Sequence, residues 1–71
     1  MVKWTPGSVR EQLPDVTVKD ALGHVRTGWL RGRKERFALV LWNAPDGTEQ
    51  WATWNWDAIA RALNNRRPLR V

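Results

Sequence analysis

A chain of 71 residues has room for one domain and one modest core. It has no cysteine, which excludes disulfides and thiolate-bound metals, and its six tryptophans are the alternative staple for a small fold, at roughly 150–250 Å² of buried area each. The net charge is +5 and nine of the twelve basic residues are arginine, so an anionic partner, nucleic acid first, competes with the plain reading that the charge only keeps the protein soluble.

Residues 1–14 read as a flexible arm with one short helical turn. Ser8 fits an N-cap and Glu11, three residues on, completes a capping box. Pro14 then stops the helix. So short a helix is expected to add little to the stability of the domain after it. Trp4 is placed to fold back as a lid.

Residues 15–71 read as the folded domain. Val16-Thr-Val18-Lys alternates like a half-buried strand. Asp20-Ala-Leu-Gly23 suits a type I turn. His24–Arg31 is the second strand, with Val25 and Trp29 on one face and a bulge or sharp bend expected at Gly28. Gly32–Glu35 is a loop. Arg36–Asn43 is apolar on both faces, as a strand covered on both sides would be. Ala44-Pro-Asp-Gly47 is the clearest turn in the chain, and Thr48–Trp54 is the fourth strand.

Asn55 is a good N-cap and Asp57 suits a first helical turn. Trp56, Ile59, Ala60 and Leu63 form one apolar stripe. Asn64 or Asn65 can take the left-handed stop before Pro68. Leu69-Arg-Val71 alternates like a closing strand.

The fold class is therefore mainly β: five strands, a short helix before the last one, and an N-terminal arm. This order resembles the small SH3-like barrels, the broad group that includes Tudor, KOW and Sm-like domains. The resemblance covers residues 15–71 and rests on strand count, short connections and the helix before the final strand. Such barrels bind nucleic acid, peptides or proteins and rarely catalyse reactions. The stretch Asn55–Asn65 is longer than the single 3₁₀ turn usual there, which keeps an α+β arrangement open.

Catalysis has little to work with. There is one serine (Ser8), one histidine (His24), no tyrosine and no cysteine. A serine triad would have to bring Ser8 from the arm to His24. A lone histidine is a poor metal site. The carboxylates are scattered, and Gly28 and Gly32 do not form a phosphate-binding loop. No enzyme activity, metal or cofactor is expected.

The charge pattern carries more. Arg31, Arg33, Lys34 and Arg36 cluster around one hairpin. Arg66, Arg67 and Arg70 lie at the C-terminus, and Arg26 is on the second strand. A solvated loop tip reads this way, and so does a hairpin that contacts phosphates.

Trp56, Trp42 and Trp54 are expected in or near the core. Trp51 shares its face with Glu49 and Thr53, and Trp29 with Thr27 and Arg31, so both are candidates for exposure. Exposed tryptophan beside arginine suits stacking on single-stranded bases, a protein hot spot or, less well without tyrosine, a cage for a methylated amine.

The first expectation is a nucleic-acid-binding accessory module using Arg26, Arg31, Arg33, Lys34, Arg36, Arg66, Arg67, Arg70, Trp29 and Trp51. The alternative is a protein-interaction module, in which exposed tryptophan and a strand edge hold a peptide or partner subunit. A homo-oligomer would also help to bury the tryptophan area. No membrane partner is expected. The first fifteen residues lack an apolar signal-peptide core. The longest apolar run, Phe37–Trp42, falls far short of the ~20 residues of a spanning helix. The lack of cysteine fits a cytoplasmic location.

Overall fold

The computed structural model describes residues 3–71, so the first two residues of the expected arm lie outside the described ones. The elements are α1 (Pro6–Gln12), β1 (Val16–Lys19), β2 (Val25–Arg33), β3 (Phe37–Asn43), β4 (Glu49–Asn55), α2 (Trp56–Asn65) and β5 (Leu69–Arg70). The strands form one mixed sheet in the order β4-β3-β2-β1-β5. All neighbours are antiparallel except β1 and β5, which run parallel. Strands β4 and β5 are the two edges, so the sheet curls into an open half-barrel compatible with an SH3-like barrel. The mainly-β expectation, with a helix before the last strand, holds.

Local chemistry explains most of the turns. The Gly23 amide bonds the Asp20 carbonyl at 3.0 Å, with Gly23 at φ +85°. The Gly47 amide bonds the Ala44 carbonyl at 2.9 Å, with Gly47 at φ +86°. Asn55 caps α2 by accepting from the Ala58 amide at 2.7 Å. The stop of α2 falls on Arg66 (φ 53°) and not on Asn64 or Asn65. The amides of Arg66 and Arg67 bond back to the carbonyls of Leu63 and Ala62, and this closed pattern of returning bonds offsets the left-handed backbone of a non-glycine residue.

The concave face of the sheet holds the core. Ala38, Val40 and Trp42 of β3 are buried there beside Leu30 of β2 and Val16 and Val18 of β1. Trp56, Ile59 and Ala60 of α2 close over them, and Leu69 of β5 joins from the edge. Gly28 lies in this layer. An added Cβ would stand 2.8 Å from Val18 Cγ2 and 2.9 Å from Val40 Cγ1. Gly28 therefore marks a close approach of strands, and the bulge expected there sits further along, between Leu30 and Gly32. That bulge extends β2 to Arg33 and shortens the loop to residues 34–36.

The N-terminal segment differs most from its expectation. Helix α1 starts earlier, because Pro6 presets the first helical residue and Thr5 provides the cap. Thr5 Oγ1 accepts from the Ser8 amide at 3.1 Å, and Ser8 Oγ accepts from the Thr5 amide at 2.9 Å. The capping box is thus Thr5–Ser8 and not Ser8–Glu11. Val9 is fully buried, α1 packs on α2, and Trp4 and Leu13 lie against the core. Trp4 does fold back, with its amide and carbonyl bonded to the Asn64 side chain at 2.7 and 2.8 Å. A segment expected to hang beside the domain is built into it.

Strand β3 also departs from its reading. Its second face, Phe37, Leu39 and Leu41, is only partly buried, because both helices lie on the concave side. No element among the described residues covers the convex side.

Asp20 ties the first turn to β2. Its Oδ1 accepts from the amides of Leu22 and His24, both at 2.9 Å, and its Oδ2 accepts from Arg26 Nε at 2.8 Å. The Arg26 guanidinium, helped by these amides, holds the Asp20 carboxyl below its ordinary value against the effect of burial. A depressed folded value means that the stabilisation is complete above the unfolded pKa of about 3.9 and lost as pH falls through the folded value. Asp20→Asn should therefore melt below the parent at neutral pH, and the two melting curves should converge as the pH drops below ~4. A gap that stays constant down to pH ~2 would show that the charge of Asp20 contributes nothing.

Candidate nucleic-acid interface

The ten residues expected to bind fall into four groups. Two arginines are engaged by other parts of the protein. Arg26 pairs with Asp20 and is half-buried. Arg33 donates from Nε to the Arg10 carbonyl at 2.6 Å and from an Nη to the Glu11 carbonyl at 3.4 Å. These carbonyls belong to the last turn of α1, where a cation also meets the negative end of the helix dipole. Arg33 thus ties α1 to the sheet.

Lys34 and Arg36 stand exposed at the tip of the β2–β3 hairpin. The Lys34 backbone is structural: its amide bonds the Phe37 carbonyl at 2.9 Å, and its carbonyl accepts from Trp56 Nε1 at 3.1 Å. Arg36 lines a cleft of about 460 Å³ between the hairpin and the starts of both helices, shared with Arg10, Glu35, Trp56 and Asp57. Arg10 lies over the Trp56 ring at 5.8 Å. Two cations face two carboxylates here, so the cleft has no strong preference for an anion.

Arg66 and Arg67 extend from the end of α2 beside the β1–β5 edge, where they line a smaller cleft with Val16, Thr17 and Leu69. Of the remaining four residues, Trp29, Trp51 and Arg70 share the convex face of the sheet, and Arg31 stands at a bulge beside them. Cross-strand register sets Trp29 opposite Leu41, and Leu41 opposite Trp51. Directly opposed residues lie on the same face, so these three make a row across β2, β3 and β4. Trp51 is 58% exposed and Phe37, further along β3, is 47% exposed. Arg31 stands exposed at the bulge, two residues beyond Trp29. At the far end Arg70 is opposite Lys19, and Lys19 opposite Val25.

The sequence reading missed Leu39, Leu41 and Phe37 as surface residues, because an apolar strand reads as covered. It also missed Lys19 as a neighbour of Arg70, which only the β1–β5 pairing reveals. Most tryptophan assignments hold: Trp42 and Trp56 are buried, Trp54 packs against the core and Trp51 is exposed, whereas Trp29, the other candidate for exposure, is half-buried.

The pair Arg26–Asp20 is the one ion pair among the described residues. Arg31, Lys34, Arg36, Arg66, Arg67 and Arg70 are thus exposed without a carboxylate partner there. Among the described residues no three His, Asp or Glu side chains cluster as metal ligands would, and no helix is long and apolar enough to cross a membrane. No protein-family model matches the chain, and no curated protein or solved structure matches it either.

Proposed function

We propose that this chain is a small non-catalytic binding module for nucleic acid, built on an SH3-like half-barrel. The observation that carries the reading is the set of exposed cations without partners. Structural ion pairs consume excess charge, yet only one such pair is present among the described residues. Six of the expected site cations are exposed without a carboxylate partner among the described residues, and one of them, Arg31, stands at the bulge two residues beyond Trp29. Phosphate contacts need donors of this kind and no base-specific geometry.

The test is anisotropy against duplex and single-stranded oligonucleotides at ~50 mM salt, followed by a salt titration. Arg31 and Arg36 are the residues to reverse, since Arg33 supports α1. Replacing both with Glu should leave the fold intact and weaken binding at least ~tenfold. The log–log salt slope should shrink by about 1.4–1.8, two phosphate contacts' worth. No binding of the parent at high micromolar protein would overturn the reading.

The alternative is a protein-interaction module. One observation favours it: β4 is an edge strand with Trp51 beside its unpaired backbone groups, a template for adding a peptide strand or a second copy. Binding of this kind would depend little on salt, which separates the two readings.

A further inference from the structure

We infer that the convex face of the sheet is a stacking platform for single-stranded nucleic acid, with Trp29 and Trp51 as the rings that take bases. The inference rests on the nucleic-acid reading above and narrows it to one class of strand and one face.

The geometry is set by register. Trp29, Leu41 and Trp51 lie side by side on three neighbouring strands. With strands ~4.8 Å apart, the two tryptophan positions stand roughly 10 Å from each other with Leu41 between them. Leu39 and Phe37 extend the apolar surface along β3, and no element among the described residues covers it. The core tryptophan Trp56 has its N–H bonded to Lys34.

Charge complementarity selects the occupant. Among the strand residues of this face, Lys19 and Arg70 are cationic and Glu49 is the one acid, and Arg31 stands exposed at the bulge beside Trp29. A second copy of the chain would bring these cations against their own kind, which disfavours a symmetric pair. A polyanion with free apolar faces meets both needs. Single strands offer their bases for stacking, whereas a duplex hides base faces within its own stack. A duplex would meet an apolar centre and few cations, since Arg26 is paired with Asp20 and Arg33 is bonded to carbonyls of α1.

The experiment compares three probes at one salt concentration: a single strand of ~20 thymidines, an abasic strand of equal length, and a duplex. The abasic strand keeps the phosphates and lacks the rings. The parent should bind the thymidine strand at least ~tenfold tighter than the abasic one. Trp51→Ala should remove most of that difference, and Trp51→Phe should retain most of it. Thermal melting of both variants checks that substitution at this exposed site has left the fold intact.

Equal binding of thymidine and abasic strands would overturn the platform and leave the phosphate-binding reading standing. So would a Trp51→Ala variant that binds all three probes as the parent does. If sedimentation shows a parent dimer that Trp51→Ala dissociates without changing strand binding, the face is a self-interface and the inference falls. Failure to bind any probe would remove both this inference and the reading beneath it.

Discussion

Replacing Trp56 with alanine should cost about 3–5 kcal/mol, as for other large aromatic truncations in cores. At roughly 0.05–0.15 kcal/mol per residue, the whole chain is worth only about 4–10 kcal/mol, so the variant should be largely unfolded or melt far below the parent. Trp56 is the first residue of α2 and is 6% exposed. Its ring fills the core, carries Arg10 on one side at 5.8 Å and anchors the hairpin by donating to the Lys34 carbonyl at 3.1 Å. Alanine removes all three links and leaves the Lys34 carbonyl without its indole donor. Trp56→Phe should lie between, since it keeps most of the apolar volume and loses the hydrogen bond. Urea or thermal unfolding followed by circular dichroism reads the effect, and an alanine variant melting within a few degrees of the parent would show that Trp56 is not part of the core.

The second large effect is expected from deleting residues 1–13. The deletion removes Val9, which is fully buried, together with Trp4 and Leu13, which pack against the core. At ~1.5–3 kcal/mol for a fully buried apolar side chain, Val9 alone contributes about that much, and the half-buried Trp4 and Leu13 add to it, together a large part of the stability of the whole chain. It also strips the cover from α2 and leaves Arg33 without the two carbonyls it binds. Residues 14–71 alone should show no cooperative melting transition and poorly dispersed amide resonances. A cooperative transition close to that of the full chain would mean that α1 is an ornament on an independent barrel. The milder substitution Val9→Ala, which opens a small cavity in the core, should lower the melting temperature without abolishing the transition.

Both results turn on interactions between segments far apart in sequence, and this separates the legible features from the hidden ones. Helix α2 was legible because its stripe of Trp56, Ile59, Ala60 and Leu63 and its Asn55 cap are local patterns. The turns at Asp20–Gly23 and Ala44–Gly47 were legible for the same reason. Each needs a short polar side chain, a proline or a glycine at one place, and the chemistry lies within four residues. Alternation along β4 likewise separated exposed Trp51 from Trp54.

Helix α1 was legible as a helix and not as a part of the core. Its seven residues contain a single buried one, Val9, which is too few for a stripe. The residues it packs among are supplied by α2 and the sheet. The partners of Arg26 and Arg33 were equally hidden. Arg33 meets carbonyls 23 and 22 residues back, and nothing near Arg33 in the chain announces them. Arg26 meets Asp20 across a turn, six residues away, where the same aspartate also reads as an ordinary turn residue.

Local pattern was enough to specify a small, mainly β chain with an excess of exposed arginine, a capped helix before the last strand, and tryptophans divided between core and surface. Which cations are free and which face is uncovered depended on tertiary packing. An apolar strand such as β3 has the same pattern whether one layer or two pack against it, because alternation reports the two faces and not their neighbours. Both helices lie on the concave side, and β5 returns parallel to β1 at the opposite edge from β4. That placement leaves Phe37 and Trp51 exposed and Trp29, Leu39 and Leu41 half-buried on an uncovered face, and it comes from how the separate segments share one core, which no single segment encodes.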